Sequence, residues 1–385
     1  MATDTALTDP ADTRIMGIVH SALRRDLARA REALTADPPP FPAQRVALAD
    51  HLVWLMRFLH QHHSSEDEHL YPLVRERNPQ AGALLDRMDA DHRSIGPAMD
   101  SLCATAEAYR GSDDARAAVV AAVDELRARL LPHLDREETE MMPVVSAAIS
   151  EAEWQHWNSE HNVKPLGPIE VFDEGLFIID GATAADSAAI TALIPGIPRW
   201  LMLHVMIRRY RRAAFRRWRT TEFSPLRSPL SGRQEVTAAA SPAEVWALLT
   251  DVTRVGEWSH ECRRAEWLGA TTTAVEGARF RGHSRNGIMR WSRACTFTTV
   301  DPQRELAWIT HGGIYGDTTE WRFTLEPTDS GTRIVQRYRI ISLPVWFDRL
   351  IHLTLPAHHD RGPALQTDLV RLAQLAQRPA VMEGS

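Results

Sequence analysis

Two stretches of this sequence pair histidine with carboxylate at a spacing that can bind metal. His62-His63-Ser64-Ser65-Glu66-Asp67-Glu68-His69-Leu70-Tyr71-Pro72 returns as His133-Leu134-Asp135-Arg136-Glu137-Glu138-Thr139-Glu140-Met141-Met142-Pro143. Each copy reads His-x3-Glu, then a second acid, with a proline ten residues after the histidine. A further histidine lies upstream of each copy, His20 and His92. These two are 72 residues apart, and His62 and His133 are 71 apart. An offset kept that closely points to a duplicated helical hairpin, each half supplying a lone histidine and a His-x3-Glu pair.

Residues four apart on an α-helix lie on one face. His62 can therefore share a site with Glu66, and His133 with Glu137. The pairs also fall in apolar stripes. Leu48, Leu52, Leu55, Leu59, His62, Glu66, Leu70 and Leu73 recur at helical steps, as do Val123, Leu126, Leu130, His133, Glu137, Met141 and Val144. An ionised carboxylate in a dry seam is costly unless paired or bound to a cation. One such pair could be a solvated surface contact, but two matched copies argue for ligation. Four histidines and two glutamates converging in a bundle suit a pair of transition-metal ions.

The elements that must position them are four helices. Asp9-Pro10 can open the first, with His20 on its inner face and Pro38 to Pro40 ending it. The second runs from about Ala43 to Arg77, the third carries Met88, His92, Ile95, Met99 and Leu102, and the fourth ends near Ile149. This predicts an up-down four-helix bundle with inward ligands. Prolines 72, 97, 132 and 143 should kink these helices. For Pro72 and Pro143 the sequence leaves two readings open: re-aiming of the helix beyond the ligands, or simple termination.

On His20, His62 with Glu66, His92, and His133 with Glu137, the first 150 or so residues resemble the hemerythrin family in its His-His-Glu cation-binding branch. The resemblance implies two non-haem irons held by histidines and bridged by two carboxylates, with O2, peroxide or nitric oxide as the small ligand. Oxygen carriers of that family place a second histidine four residues before the third-helix ligand, where this chain has Met88. Reversible oxygen carriage does not follow for this chain. His63, His51 and His161 are candidates to compensate, though each reads first as a surface or supporting histidine. Glu138 competes with Glu137 as the second carboxylate, and mixed imidazole and carboxylate ligation does not by itself choose iron.

Residues 151–220 read as a helical extension. Thr183-Ala184-Ala185-Asp186 is a helix-capping signature. Seven arginines between Arg208 and Arg219 fit a solvated face on a helix that packs through Trp200, Leu203 and Ile207 better than an anion site. Residues 221–232, with Pro225, Pro229 and several serines, form a linker.

From 233 to 378 the pattern changes. Arg233–Ala240 alternates like a strand, and Ser241-Pro242-Ala243-Glu244 opens a capped helix. Six β-rich runs follow: 263–268, 278–283, 289–300, 306–311, 318–326 and 332–342. A closing helix spans about Val345 to Gln377, broken near Pro356 and Gly362-Pro363. The expected fold class is multidomain α and α+β: the bundle and its extension, then a helix-grip domain in which an antiparallel sheet wraps a long C-terminal helix. Through Ser241 to Val252, Gly256-Glu257-Trp258-Ser259 and Gly277 to Gly282, this stretch resembles the START-like (SRPBCC) superfamily in its polyketide cyclase/dehydrase branch. The resemblance implies an apolar cavity for a small ligand. Seven of the twelve tryptophans fall here, some to line it and many to form core. His283, His311 and Asp317 are weak candidate polar groups, better read as ordinary strand residues.

The 385 residues exceed one ordinary core, and 44% hydrophobic with 24% charged residues is a globular composition. A net charge of −6 gives no case for nucleic acid. The three scattered cysteines argue against a disulfide framework and fit a cytoplasmic location, as does the polar, acidic start of the chain. No apolar run is long enough for a membrane span. Ten of the 17 histidines lie between residues 20 and 161. Three functions fit: a binding or sensing protein, a di-iron oxidoreductase of peroxidase or catalase type or an oxygenase, and a structural metal bundle. Fold analogy does not choose among them.

Overall fold

The computed structural model describes residues 9–220, 222–355 and 358–377. It divides into two compact units between Arg219 and Thr220.

The first unit is a four-helix bundle with a helical extension. Its members are α1 (Arg14–Thr35), α2 (Pro42–Ser65) continuing as α3 (Tyr71–Arg77), α4 (Gly82–Gly111), and α5 (Arg116–Arg136) continuing as α6 (Met142–Ala148). Leucine-rich stripes, among them Leu23 and Leu27, Leu48 to Leu59, Leu85, and Leu126 with Leu130, are fully buried. α2 packs on α4, α4 on α5, α5 on α1 and α1 on α2, which closes the ring. Asp9-Pro10 does not start a helix. Pro10 forms a β-bridge with Ser150, and the Glu151 N–H donates to the Asp9 carbonyl, so α1 begins four residues later.

Each His-x3-Glu pair sits where α-helix gives way to a single π-helical turn, Glu66–Leu70 and Glu137–Met141. Pro72 and Pro143 take the second position of the α-segment that resumes, where a missing N–H is tolerated. They therefore do not terminate the helices, and the backbone widens at the glutamate itself rather than beyond it. The extra residue rotates everything downstream by about 100°. The buried stripe accordingly moves one place: Tyr71 and Val74 are buried where the even spacing predicted Leu73, and Met142 and Val145 where it predicted Val144.

The extension comprises α7 (Glu151–Trp157), α8 (Pro168–Ile179), α9 (Ala184–Ala192), α10 (Gly196–Leu201) and α11 (Ile207–Trp218). Ser150 and Glu153 form a capping box on α7, and Thr183 caps α9 through the Asp186 N–H. Trp157 Nε1–H donates to the Ser65 carbonyl at 3.1 Å, where the first π turn begins. A π turn at Met202–Met206 also changes the packing face of the arginine-rich helix. Met202, Tyr210, Ala214 and Trp218 are buried, while Trp200 is 57% exposed.

The second unit is a seven-stranded antiparallel sheet in the order β1-β7-β6-β5-β4-β3-β2: β1 Ser231–Ala238, β2 Cys262–Leu268, β3 Arg279–Asn286, β4 Met289–Asp301, β5 Glu305–His311, β6 Thr318–Thr328 and β7 Gly331–Ser342. Two short helices, α12 (Pro242–Thr250, with the expected Ser241–Glu244 capping box) and α13 (Val255–Trp258), precede β2. After β7 come α14 (Val345–Thr354) and α15 (Gly362–Ala376); Pro356 lies outside the described residues. α15 lies across the sheet with Leu369, Leu372 and Ala373 buried against Phe297 and Phe323, which is the helix-grip architecture. Part of the expected linker is built into this unit. The fully buried Asp348 carboxylate accepts from the backbone N–H of Arg227 and Ser228 and from Ser228 Oγ, at 2.6–3.0 Å. Among the described residues, no helix is long and apolar enough to cross a membrane.

Candidate metal centre

The six residues singled out in the sequence as candidate ligands meet in the interior of the bundle. His20, His62, Glu66, His92, His133 and Glu137 are all buried, both glutamates completely. The donor atoms of five of them, together with that of His63, fall into two groups. His20, His62 and Glu137 form one, and His63, His92 and His133 form the other. The two carboxylates span the groups. Glu66 places Oε1 3.3 Å from His62 Nε2 and Oε2 3.7 Å from His92 Nε2. Glu137 Oε2 lies 3.4 Å from His20 Nε2 and 3.6 Å from His133 Nε2.

His63 is the member that sequence reasoning read first as a surface or supporting histidine and only second as a compensating ligand. It is buried, its Nε2 has no protein hydrogen-bond partner, and its ring stacks on His92 at 4.0 Å. Neighbouring residues on a helix point about 100° apart, so His62 and His63 cannot share one ion but can serve two adjacent ones. Met88 is packed in an apolar cluster with Tyr71 and Met141, and the third imidazole of that group comes from α2 instead. A hint lay in the sequence: a second histidine directly beside a seam histidine. His51 and His161 do not join. His51 pairs with Asp26 at 2.8 Å, and His161 stacks on His69 at 3.6 Å.

Acids hold several rings from behind. His20 Nδ1 lies 2.9 Å from Glu138 Oε1, which also accepts from Arg24. His92 Nδ1 lies 2.7 Å from Asp67 Oδ1. Glu138 and Asp67 thus aim the rings, while Glu137 takes the inner place. Tyr71 Oη donates to Glu137 Oε1 at 3.0 Å.

The donor set fits a dication pair. Both oxygens of Glu66, Oε2 of Glu137 and Nε2 of His63 are buried without a hydrogen-bond partner. Imidazole nitrogens face one another at 3.3 Å (His20 and His62) and 3.1 Å (His92 and His133). Lone pairs turned to one point in a dry core are tolerable around a cation.

The family model described as the hemerythrin HHE cation binding domain matches residues 13–145, and the one described as polyketide cyclase / dehydrase and lipid transport matches residues 229–376. The chain joins an HHE cation-binding domain to a polyketide cyclase-like domain. Similar solved structures include a protein from Mesorhizobium loti at 19% identity, covering 39% of this chain and 99% of that one with a TM-score of 0.30. A Polyketide_cyc-like protein from Corynebacterium glutamicum is 23% identical, covering 38% of this chain and 90% of its own, with a TM-score of 0.27. No curated protein matches the chain.

Charge is unevenly shared in the HHE centre. Burial, then the charge of Glu137, pushes the Glu66 carboxyl well above the carboxylate range. At Glu137 burial also pushes upward, but the close approach of His20, its Nε2 3.4 Å from Oε2, outweighs it and holds the group low. Burial takes His62 down to about 3 and His133 to about 4, so both are neutral and free to ligate. Burial also raises the Tyr71 phenol, which keeps its proton.

The cyclase-like domain contains a solvent-accessible cavity of about 370 Å³. Trp258, Trp291, Trp308 and Trp321 line it, whereas Trp246 and Trp267 pack in the core and Trp346 is exposed. Of the weak candidates only Asp317 reaches the cavity, 3.6 Å from Arg293. His283 instead meets Glu266 and His311 meets Thr296, as strand residues would. The polar wall holds two pairs that sequence reasoning missed: His358 with Glu261 at 2.9 Å and His260 with Asp368 at 2.7 Å. Their members lie 97 and 108 residues apart, with no local signal to join them.

Proposed function

We propose that the HHE domain holds two iron ions and takes O2, peroxide or nitric oxide, and that the cyclase-like domain takes a small apolar ligand, in a cytoplasmic protein with two functional domains. The observation that carries the metal reading is a pair of buried carboxylates with unpartnered oxygens, both of Glu66 and Oε2 of Glu137, each spanning two clusters of imidazoles. His20, His62 and Glu137 would hold one ion and His63, His92 and His133 the other, with Glu66 and Glu137 shared. The two imidazoles and one carboxylate of the His20, His62 and Glu137 group are the donor composition of non-haem iron sites with open positions. Iron there supplies Lewis acidity and redox activity. The chain's own residues orient the ring nitrogens, exclude water and keep a proton on Tyr71 Oη. The tryptophan-lined part of the cyclase-like domain's cavity supports a mainly apolar ligand, and the charged pairs of its polar wall offer a place for a polar group on it. Three free cysteines support a reducing compartment.

A second reading, turnover of peroxide, is favoured by Tyr71, a protonated phenol hydrogen-bonded to a candidate ligand. Metal analysis and visible spectroscopy of the purified chain test both. About two irons per chain with an absorption band that returns after O2 or nitric oxide is removed supports binding, and steady loss of added peroxide supports turnover. A chain that retains zinc and stays colourless in the presence of iron refutes both.

A further inference from the structure

The extension walls off a second cavity, of about 160 Å³, against α1 and α2 of the bundle. Phe58, Trp154, Leu166, Val171 and Ile190 form much of its wall, and His62 closes one side. The wall residues from Trp154 onward lie beyond the stretch that matches the HHE family, so the chamber depends on a segment outside that match. Val163 and Leu193 also line it and are 43% and 44% exposed, which puts apolar side chains at its outer side.

We infer that this chamber binds an uncharged single-ring aromatic molecule bearing one hydrogen-bonding group, seated against the His62 imidazole. The size sets the ligand class, since an apolar cavity of about 150 Å³ accepts benzene. The surface sets its character. The Phe58 and His62 rings are parallel to within 10°, and Trp154 and Trp157 add further ring surface. An anionic ligand would lose its hydration facing the Glu174 carboxyl, with the polar wall groups limited to Gln61, His62, Asn158 and Asn162 beside it. One polar handle is Glu174 in the same wall, where burial and the nearby Glu170 push the carboxyl up to about 7. A hydroxyl on the ring can exchange a hydrogen bond with it. The inference stands on the cavity and does not rest on the metal reading, so it applies to metal-free and zinc-loaded protein alike.

The test uses the whole chain and 4-bromophenol. Crystals soaked in it are expected to show anomalous bromine density among Phe58, Trp154 and Ile190. Equilibrium dialysis of metal-free protein should find one more bound equivalent than in Val171→Phe, whose larger side chain fills the chamber. The thermal midpoint of the variant separates a filled chamber from a misfolded chain, and Ile190→Trp serves if Val171→Phe does not fold. Glu174→Gln should weaken 4-bromophenol several-fold more than bromobenzene. Bromine density only in the second domain, equal binding by wild type and filled variant, or xenon entering where bromophenol does not would each overturn the assignment, the last making the chamber a gas passage.

Discussion

Glu66 and Glu137 are counterparts across the bundle interior. Each reaches two imidazoles on different helices, at 3.3 and 3.7 Å for Glu66 and at 3.4 and 3.6 Å for Glu137, and each begins a π turn. A duplicated hairpin thus places one carboxylate from each half between the two histidine groups.

Removing either kind of ligand is expected to cost metal. Glu66→Ala and His133→Ala should lose bound metal and the stability coupled to it. His63→Ala should keep about half the metal of wild type. His69→Ala should change nothing, since that ring is partly exposed and stacks on His161. Metal per chain by elemental analysis checks all four. Wild-type metal content in Glu66→Ala would sink the ligand set.

Tyr71→Phe removes one hydrogen bond to Glu137 and leaves the ligands in place. The expected cost is about 1 kcal/mol in urea unfolding, with metal content retained. A change in the visible band or in peroxide loss would tie the phenol to the reactivity, and an unchanged spectrum and rate would confine it to structure.

A separate buried ion network joins the extension to the bundle. Asp26, with no exposed surface, meets His51 at 2.8 Å and Arg25 at 2.8 Å, while Arg29 and Tyr210 meet Asp180 at 2.8 and 3.0 Å. Breaking a buried pair from one side costs about 3–5 kcal/mol. Asp26→Ala should lower stability on that scale and speed proteolysis within α8 and α11. Denaturation and timed digestion measure the two effects, and a loss below about 1 kcal/mol would show that the network contributes little.

His51 makes the first unit sensitive to acid. Burial, then the Arg217 charge, lowers its pKa to about 4 against the pull of Asp26. An unfolded histidine binds its proton near pH 6.5. The folded state therefore binds fewer protons between those values, and stability falls as pH drops from about 6.5 toward 4. His51→Gln should flatten that part of the curve in metal-free protein. A wild-type urea midpoint equal at pH 7.5 and pH 5 would contradict the sign.

The site was legible because its spacing is local. A histidine four residues before a glutamate in a leucine stripe states both the helix and the inward face, and duplication raised the signal above chance. The seven strands and the Ser241 cap were readable for the same reason, since alternation and capping are short-range patterns. Beyond Glu66 and Glu137 the stripe held at Leu70 and Met141 and failed at Leu73 and Val144, because an even helical step was assumed through a backbone that widens.

From residue order alone came the class of both units and six metal-site candidates, while the cavity of the cyclase-like domain was implied by resemblance. Folding decided what no spacing could carry. It brought His63 inward, set Glu137 inside Glu138, met Tyr71 with Glu137 across 66 residues of chain, and closed the chamber beside His62 with the extension. The physical reason is that periodicity reports which face of one element is buried, whereas a site is defined by distances between elements, set by packing and by single extra residues in a turn.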